Sequence, residues 1–202
     1  MNLQKIPASE VFDKNREKNR TFDLLDLRSI PEFMHGFIPF SMNLPESESD
    51  FLVNLRKIWR HPRDVVVVTL HPKIPEQIQS AIQQVGGNLI GYLNIMEWIE
   101  AGYAILSLEG IKFDEISSDS DVLIDVRTAS EWKSKQIPAS YNVPLSELED
   151  IVGELDRGQN YVAFCAGIYR GLNGAAKLRS EGFNVRYFAN GLNTWYEHDK
   201  HQ

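Results

Sequence analysis

A single cysteine, no unbroken run of lysine and arginine, and no apolar run approaching the roughly eighteen residues of a spanning helix set the first limits on this chain. One thiol in 202 residues excludes an internal disulfide. It also leaves no second thiol to resolve whatever forms on Cys165, so a group carried there must leave to an outside acceptor. The missing Lys/Arg run and a formal net charge of −7 argue against nucleic acid or an anionic membrane as the main partner, and any anion site must be local. The N-terminal MNLQKIPASEVFDKNREK turns polar too early for a signal peptide, and a cytoplasmic protein is expected. The five histidines, His35, His61, His71, His198 and His201, show no metal-ligand spacing with Cys165, and His198 and His201 fall in a polar tail expected to be solvated. A Walker-type glycine loop is missing too, so neither a metal nor a nucleotide cofactor is expected.

What is present is a repeat. Asp26/Asp125, Arg28/Arg127, Glu32/Glu131, Phe33/Trp132, Ile38/Ile137, Pro39/Pro138, Asn43/Asn142 and Pro45/Pro144 are each separated by 99 positions. Chance does not hold eight pairs in register, which implies an internal duplication. Each half reads as strand, turn, helix, strand, helix, strand, helix. In the first, these are a helix over 9–18, strands over 22–27, 65–69 and 89–93, a helix over 49–59 and another stopping at Gly86-Gly87. In the second they are strands over 122–126, 161–164 and 185–188, a helix opened by a Ser146–Glu149 capping box and running to Leu155, and a helix stopping at Gly182. Such alternation implies an α/β fold, two small parallel sheets with helices on both faces. The expected domains are 1–108 and 109–202, joined near 107–112.

The chemistry-bearing stretch is 161–182, YVAFCAGIYRGLNGAAKLRSEG. A buried strand delivers Cys165 to a loop of Ala166, Gly167, Ile168, Tyr169 and Arg170, after which Leu172, Ala175, Ala176 and Leu178 mark one face of a helix. A lone cysteine at a strand end is usually a small buried hydrophobe. A small-residue loop, a helix N-terminus and an arginine five positions on fit a nucleophile better, since amides and a cation together bring a thiol from about 8.5 down to about 3.5–7.5. Arg170 could instead pair with a surface carboxylate; its place in the loop favours binding. The same point in the first half falls on Thr69 or Leu70, followed by His71-Pro72-Lys73-Ile74-Pro75, where the prolines remove amide donors. Asp125 and Arg127, recurring as Asp26 and Arg28 where there is no thiol, are expected to hold the strand end by an ion pair. Trp132 and Trp195 are expected in the core; Tyr169 lines or covers the pocket mouth.

These residues together resemble the rhodanese family of sulfurtransferases. The matching parts are Asp125-Val126-Arg127, Glu131-Trp132, Ile137 to Pro144 against the family's Gly-His-Ile-Pro-Gly-Ala-x-Asn-Ile-Pro, the cysteine with arginine five positions on, and Gly191 with Trp195. The resemblance implies two rhodanese-like domains, an inactive one followed by a catalytic one. The loop form Cys-Ala-Gly-x-Tyr-Arg looks most like rhodanese domains fused to persulfide dioxygenases. Four departures stand out: Lys135-Gln136 replace Gly-His, and the first half has Gly36-Phe37 there. Ile168 stands where glycine is common and would strain the turn if its φ is positive, and Gly171 stands in place of a serine.

The resemblance implies a two-step transfer. Cys165 takes the outer sulfur of a small anionic donor such as thiosulfate or glutathione persulfide, and cyanide, glutathione or a protein thiol removes it. Ala166, Gly167, Ile168, Tyr169 and Arg170 would bind the donor, no cofactor would be needed, and a persulfide dioxygenase is an implied partner. Two other readings compete. One is a regulatory or scaffold module with Cys165 as sensor or vestige; the other is phosphatase or arsenate chemistry, disfavoured because related phosphatases have a loop one residue longer.

Overall fold

The structure, a computed structural model, describes residues 3–15, 20–59 and 63–199. It divides into two compact units, Met1–Ser107 and Leu108–Gln202. No described helix is long and apolar enough to cross a membrane.

The first unit contains α1 (Ala8–Asn15), β1 (Phe22–Asp26), α2 (Ile30–His35), β2 (Met42–Asn43), α3 (Phe51–Ile58), β3 (Asp64–Thr69), α4 (Glu76–Gln84), β4 (Asn88–Asn94) and α5 (Ile95–Glu100). Its strands form a parallel sheet in the order β2-β1-β3-β4. Four valines, Val65 to Val68, are wholly buried, as a central strand covered on both faces requires. Burying each is worth about 1.5–3 kcal/mol. Val66 and Val68 join Leu24 and Leu93 under α1 and α5, whose Val11, Ile95 and Trp98 complete that core. Alternation sends Val65 and Val67 to the opposite face, where α3 and α4 pack on each other and α4 meets β4. The last part of the helix expected over 9–18 lies outside the described residues, as do His61 and His201.

The second unit contains β5 (Glu109–Gly110), β6 (Asp121–Asp125), α6 (Ala129–Ser134), β7 (Tyr141–Asn142), α7 (Leu148–Ile151), β8 (Asn160–Phe164), α8 (Tyr169–Ser180), β9 (Asn184–Phe188) and α9 (Gly191–Asp199). The sheet is again parallel, ordered β5-β9-β8-β6-β7. Leu123, Val162, Phe164 and Phe188 face Ile111, Leu192 and the half-buried Trp195. α8 lies against β8 and β9 with Leu172, Ala175, Ala176 and Leu178 fully buried.

Both long helices stop as their glycines dictate. Gly86 and Gly182 take φ of 86° and 87°, and the next amides, Gly87 and Phe183, bond back to Ile82 and Leu178. Two expectations fail. The segment after Ser146 has no side-chain cap at its N-cap Glu147, and after Ile151 it tightens to a 3₁₀ turn, Val152–Glu154, instead of continuing as α-helix to Leu155. His198 is exposed, as expected of the polar tail, and stacks on Phe113 with centroids 4.6 Å apart, while Trp195 meets the same ring edge-on at 5.0 Å.

Candidate functional site

The strand end that presents the thiol is held by a buried ion pair. Arg127 Nε lies 2.9 Å from both Asp125 carboxylate oxygens, and its Nη2 reaches Asp125 Oδ2 and the Lys135 carbonyl at 2.5 Å each. Asn142 Nδ2 then donates to the Asp125 and Arg127 carbonyls at 3.0 and 2.8 Å. The first unit repeats every contact: Arg28 to Asp26 and to the Gly36 carbonyl, Asn43 to the Asp26 and Arg28 carbonyls. Position 135 therefore contributes its carbonyl, with φ of −160° that any residue adopts, which is why lysine can stand where the family has glycine.

Cys165 follows β8 directly. Parallel register pairs Asp125 with Phe164 and Asp26 with Val68, so Thr69, not Leu70, occupies the corresponding point of the first unit. Thr69 Oγ1 accepts the His71 N–H at 3.0 Å, and Pro75 caps α4.

The loop is aimed by its carbonyls. Leu192 N–H donates to the Cys165 carbonyl at 3.2 Å, Asn193 Nδ2 to Ala166 at 2.8 Å and Asn190 N–H to Gly167 at 3.0 Å; Tyr187 hydroxyl donates to Ile168 at 3.1 Å. In a trans peptide the N–H of the next residue points the opposite way. The amides of Ala166, Gly167, Ile168 and Tyr169 thus face away from the β9–α9 turn, into the loop. Ile168 is the N-cap of α8 with φ of −108°, so the expected strain does not arise.

Gly171 N–H donates to Cys165 Sγ at 3.3 Å. Sulfur takes the third amide of the helix, which a capping oxygen usually takes. Gly171 is closely packed: a Cβ there would lie 3.1 Å from both the Cys165 nitrogen and Tyr187 Cε2, so a side chain requires its neighbours to give by a few tenths of an ångström.

Two features of charge differ from what the loop sequence implies. Cys165 is 1% exposed, and burial pushes its thiol above the ordinary range, outweighing the amides of Gly171 and Gly167 and the charge of Arg170. Arg170 is paired with a carboxylate: Nη1 reaches Glu131 Oε2 at 2.6 Å and Nη2 reaches Oε1 at 2.8 Å. This grip holds the Glu131 carboxyl down to about 2 and raises the guanidinium further. Glu131 is the capping-box residue of α6, accepting from Thr128 N at 3.1 Å and Thr128 Oγ1 at 2.7 Å.

Tyr187, Asn190 and Asn193 were not legible as site residues, because they act from the outer side of the loop. Glu131 was visible as half of a repeated pair and as the end of a Thr-x-x-Glu capping spacing. Trp132 is half-buried, its Nε1 on Ser140 Oγ at 3.2 Å, and Tyr169 is half-buried at the start of α8. No cluster of three or more metal-ligating side chains occurs among the described residues.

Residues 112–198 match the family model described as Rhodanese-like domain. A tRNA sulfurtransferase of Thermoplasma acidophilum is 34% identical over 82 residues, 41% of this chain and 15% of that protein. An HTH-type transcriptional regulator of Mycobacterium tuberculosis is 32% identical over 75 residues, 36% of this chain and 33% of the regulator. The chain thus spans at most a third of the length of these curated relatives. Among solved structures, a rhodanese-related protein of Thermoplasma volcanium aligns with a TM-score of 0.43 at 26% identity, over 45% of this chain and 92% of that one.

Proposed function

From the match of residues 112–198 to the Rhodanese-like domain model, we propose that this chain is a sulfurtransferase in which Cys165 carries a sulfane sulfur between two outside molecules. The observation that supports this most is the thiol at the centre of an amide-lined loop, with Gly171 N–H on its sulfur at 3.3 Å. Cys165 thiolate attacks the outer sulfur of thiosulfate or glutathione persulfide. The donor's S–S bond breaks, its electron pair leaves on sulfite or glutathione thiolate, and a new S–S bond forms on Cys165. Cyanide, glutathione or a protein thiol then attacks the outer sulfur, and the electron pair returns to Sγ. The amides of Ala166 to Arg170 stabilise the anionic donor and the persulfide. Asp125 and Arg127 hold the strand end, and no cofactor enters. Residues 1–108 serve as an inactive counterpart, with Thr69 in place of the nucleophile, and 109–202 as the catalytic domain. A persulfide dioxygenase, implied by the loop's sequence, is the proposed partner.

The test is intact mass after incubation with thiosulfate or glutathione persulfide. One retained sulfur atom, released by cyanide and missing in Cys165→Ser, is expected. No sulfur from either donor would favour a regulatory or scaffold module, the reading that the buried thiol and the engaged Arg170 support. That a transcriptional regulator is among the relatives fits this second reading.

A further inference from the structure

We propose that Glu131 determines donor specificity in this site: by gripping both terminal nitrogens of Arg170, it withholds the loop's cation and so disfavours donors that bring a dianion to the sulfur being transferred. The inference rests on the sulfurtransferase reading above and names the substrate class for it. Thiosulfate shares two negative charges between its outer sulfur and the sulfonate group bonded to it. Glutathione persulfide carries at most one charge at that sulfur, and its carboxylates lie on a peptide remote from it.

The carboxylate is anchored before it meets the arginine. Its Oε2 already accepts from the Thr128 amide and hydroxyl, and this cap is a requirement of the fold, since Glu32 makes the same contacts with Ser29 in the first unit. There the corresponding loop, residues 70–75, carries no arginine. The second unit therefore adds Arg170 to a carboxylate held in place for another reason. For Arg170 to serve a donor it must give up two short charge-assisted hydrogen bonds, 2.6 and 2.8 Å, to a partner that cannot follow it. The nearby Asp125 and Arg127 already neutralise each other. What the loop then offers an incoming anion is backbone amides. These suit a single developing charge on sulfur, but they neutralise a dianion less well than a free guanidinium would.

Glu131→Gln isolates the effect, because glutamine at the third helical position also completes a capping box. It removes the charge that holds Arg170 and leaves the hydrogen-bonding shape. In the full chain, kcat/KM is measured for thiosulfate and for glutathione persulfide, with thermal unfolding as the check on folding. The ratio of thiosulfate to glutathione persulfide should rise about tenfold or more in Glu131→Gln. Replacing Arg170 by glutamine in that background should return the ratio towards the parent value. A ratio unchanged in Glu131→Gln, or a gain that survives the loss of Arg170, overturns the assignment while leaving the sulfurtransferase reading intact. Failure of the parent chain to take sulfur from either donor overturns both.

Discussion

Consider sulfur loading as a function of pH. An ordinary thiol with a value near 8.5 is about 3% ionised at pH 7. Burial pushes Cys165 above the ordinary range, and each further unit cuts the reactive fraction about tenfold. The first-turn amides and Arg170 pull the other way without cancelling it. Below the raised value the rate of a thiolate reaction climbs about tenfold per pH unit, so loading from pH 6.5 to 8.5 should rise about a hundredfold. A single-turnover measurement of sulfite released from thiosulfate over that range tests this directly. A plateau reached at or below pH 7.5 would refute the reasoning and restore the lowered value that the loop sequence alone implies. The same shift has a stability sign. The native state holds this proton more tightly than the unfolded chain, so the contribution is fully present below the unfolded value and lost as pH rises through the native one.

Three further outcomes follow from the packing. Arg127→Leu strands a fully buried Asp125 carboxylate and should cost about 3–5 kcal/mol; denaturant unfolding showing less than about 1 kcal/mol would mean that water replaces the guanidinium. Ala139 holds φ of 60° where the family pattern has glycine, so Ala139→Gly should stabilise by about 0.5–1 kcal/mol, read as a higher thermal midpoint, and a lower midpoint would contradict the strain. Gly191→Ala would bring a methyl to 2.6 Å from Phe164 Cβ and 2.7 Å from Phe188 Cδ1, costing about 1–3 kcal/mol; an unchanged midpoint would show that the start of α9 shifts freely.

The elements most readable in the sequence are those fixed by local pattern. Apolar runs gave the parallel strands, Gly86 and Gly182 gave the helix ends, and the recurrence of Asp, Arg and Asn at one spacing pointed to a duplicated clasp that reappears as the same hydrogen bonds. What escaped is what depends on distant chain. Whether Sγ is buried is a sum over neighbours that the loop sequence does not contain. The partner of Arg170 lies 39 residues upstream. Thr69 could be aligned with Cys165 only once strand register was known, and the residues aiming the amides inward, Tyr187, Asn190 and Asn193, come after the loop and touch it from behind.

Each unit also begins by laying its first segment beside its last strand. Residues 4–6 bond to Tyr92 of β4, and β5 runs beside Arg186 and Tyr187 of β9. An open strand edge invites pairing with other chains, and here the shield comes from residues made about ninety positions before, or some seventy-seven in the second unit, than the edge that they cover. During synthesis neither sheet can be sealed until its final strand has left the ribosome. Trimming either leading segment would bare a template for aggregation while leaving the loop chemistry untouched.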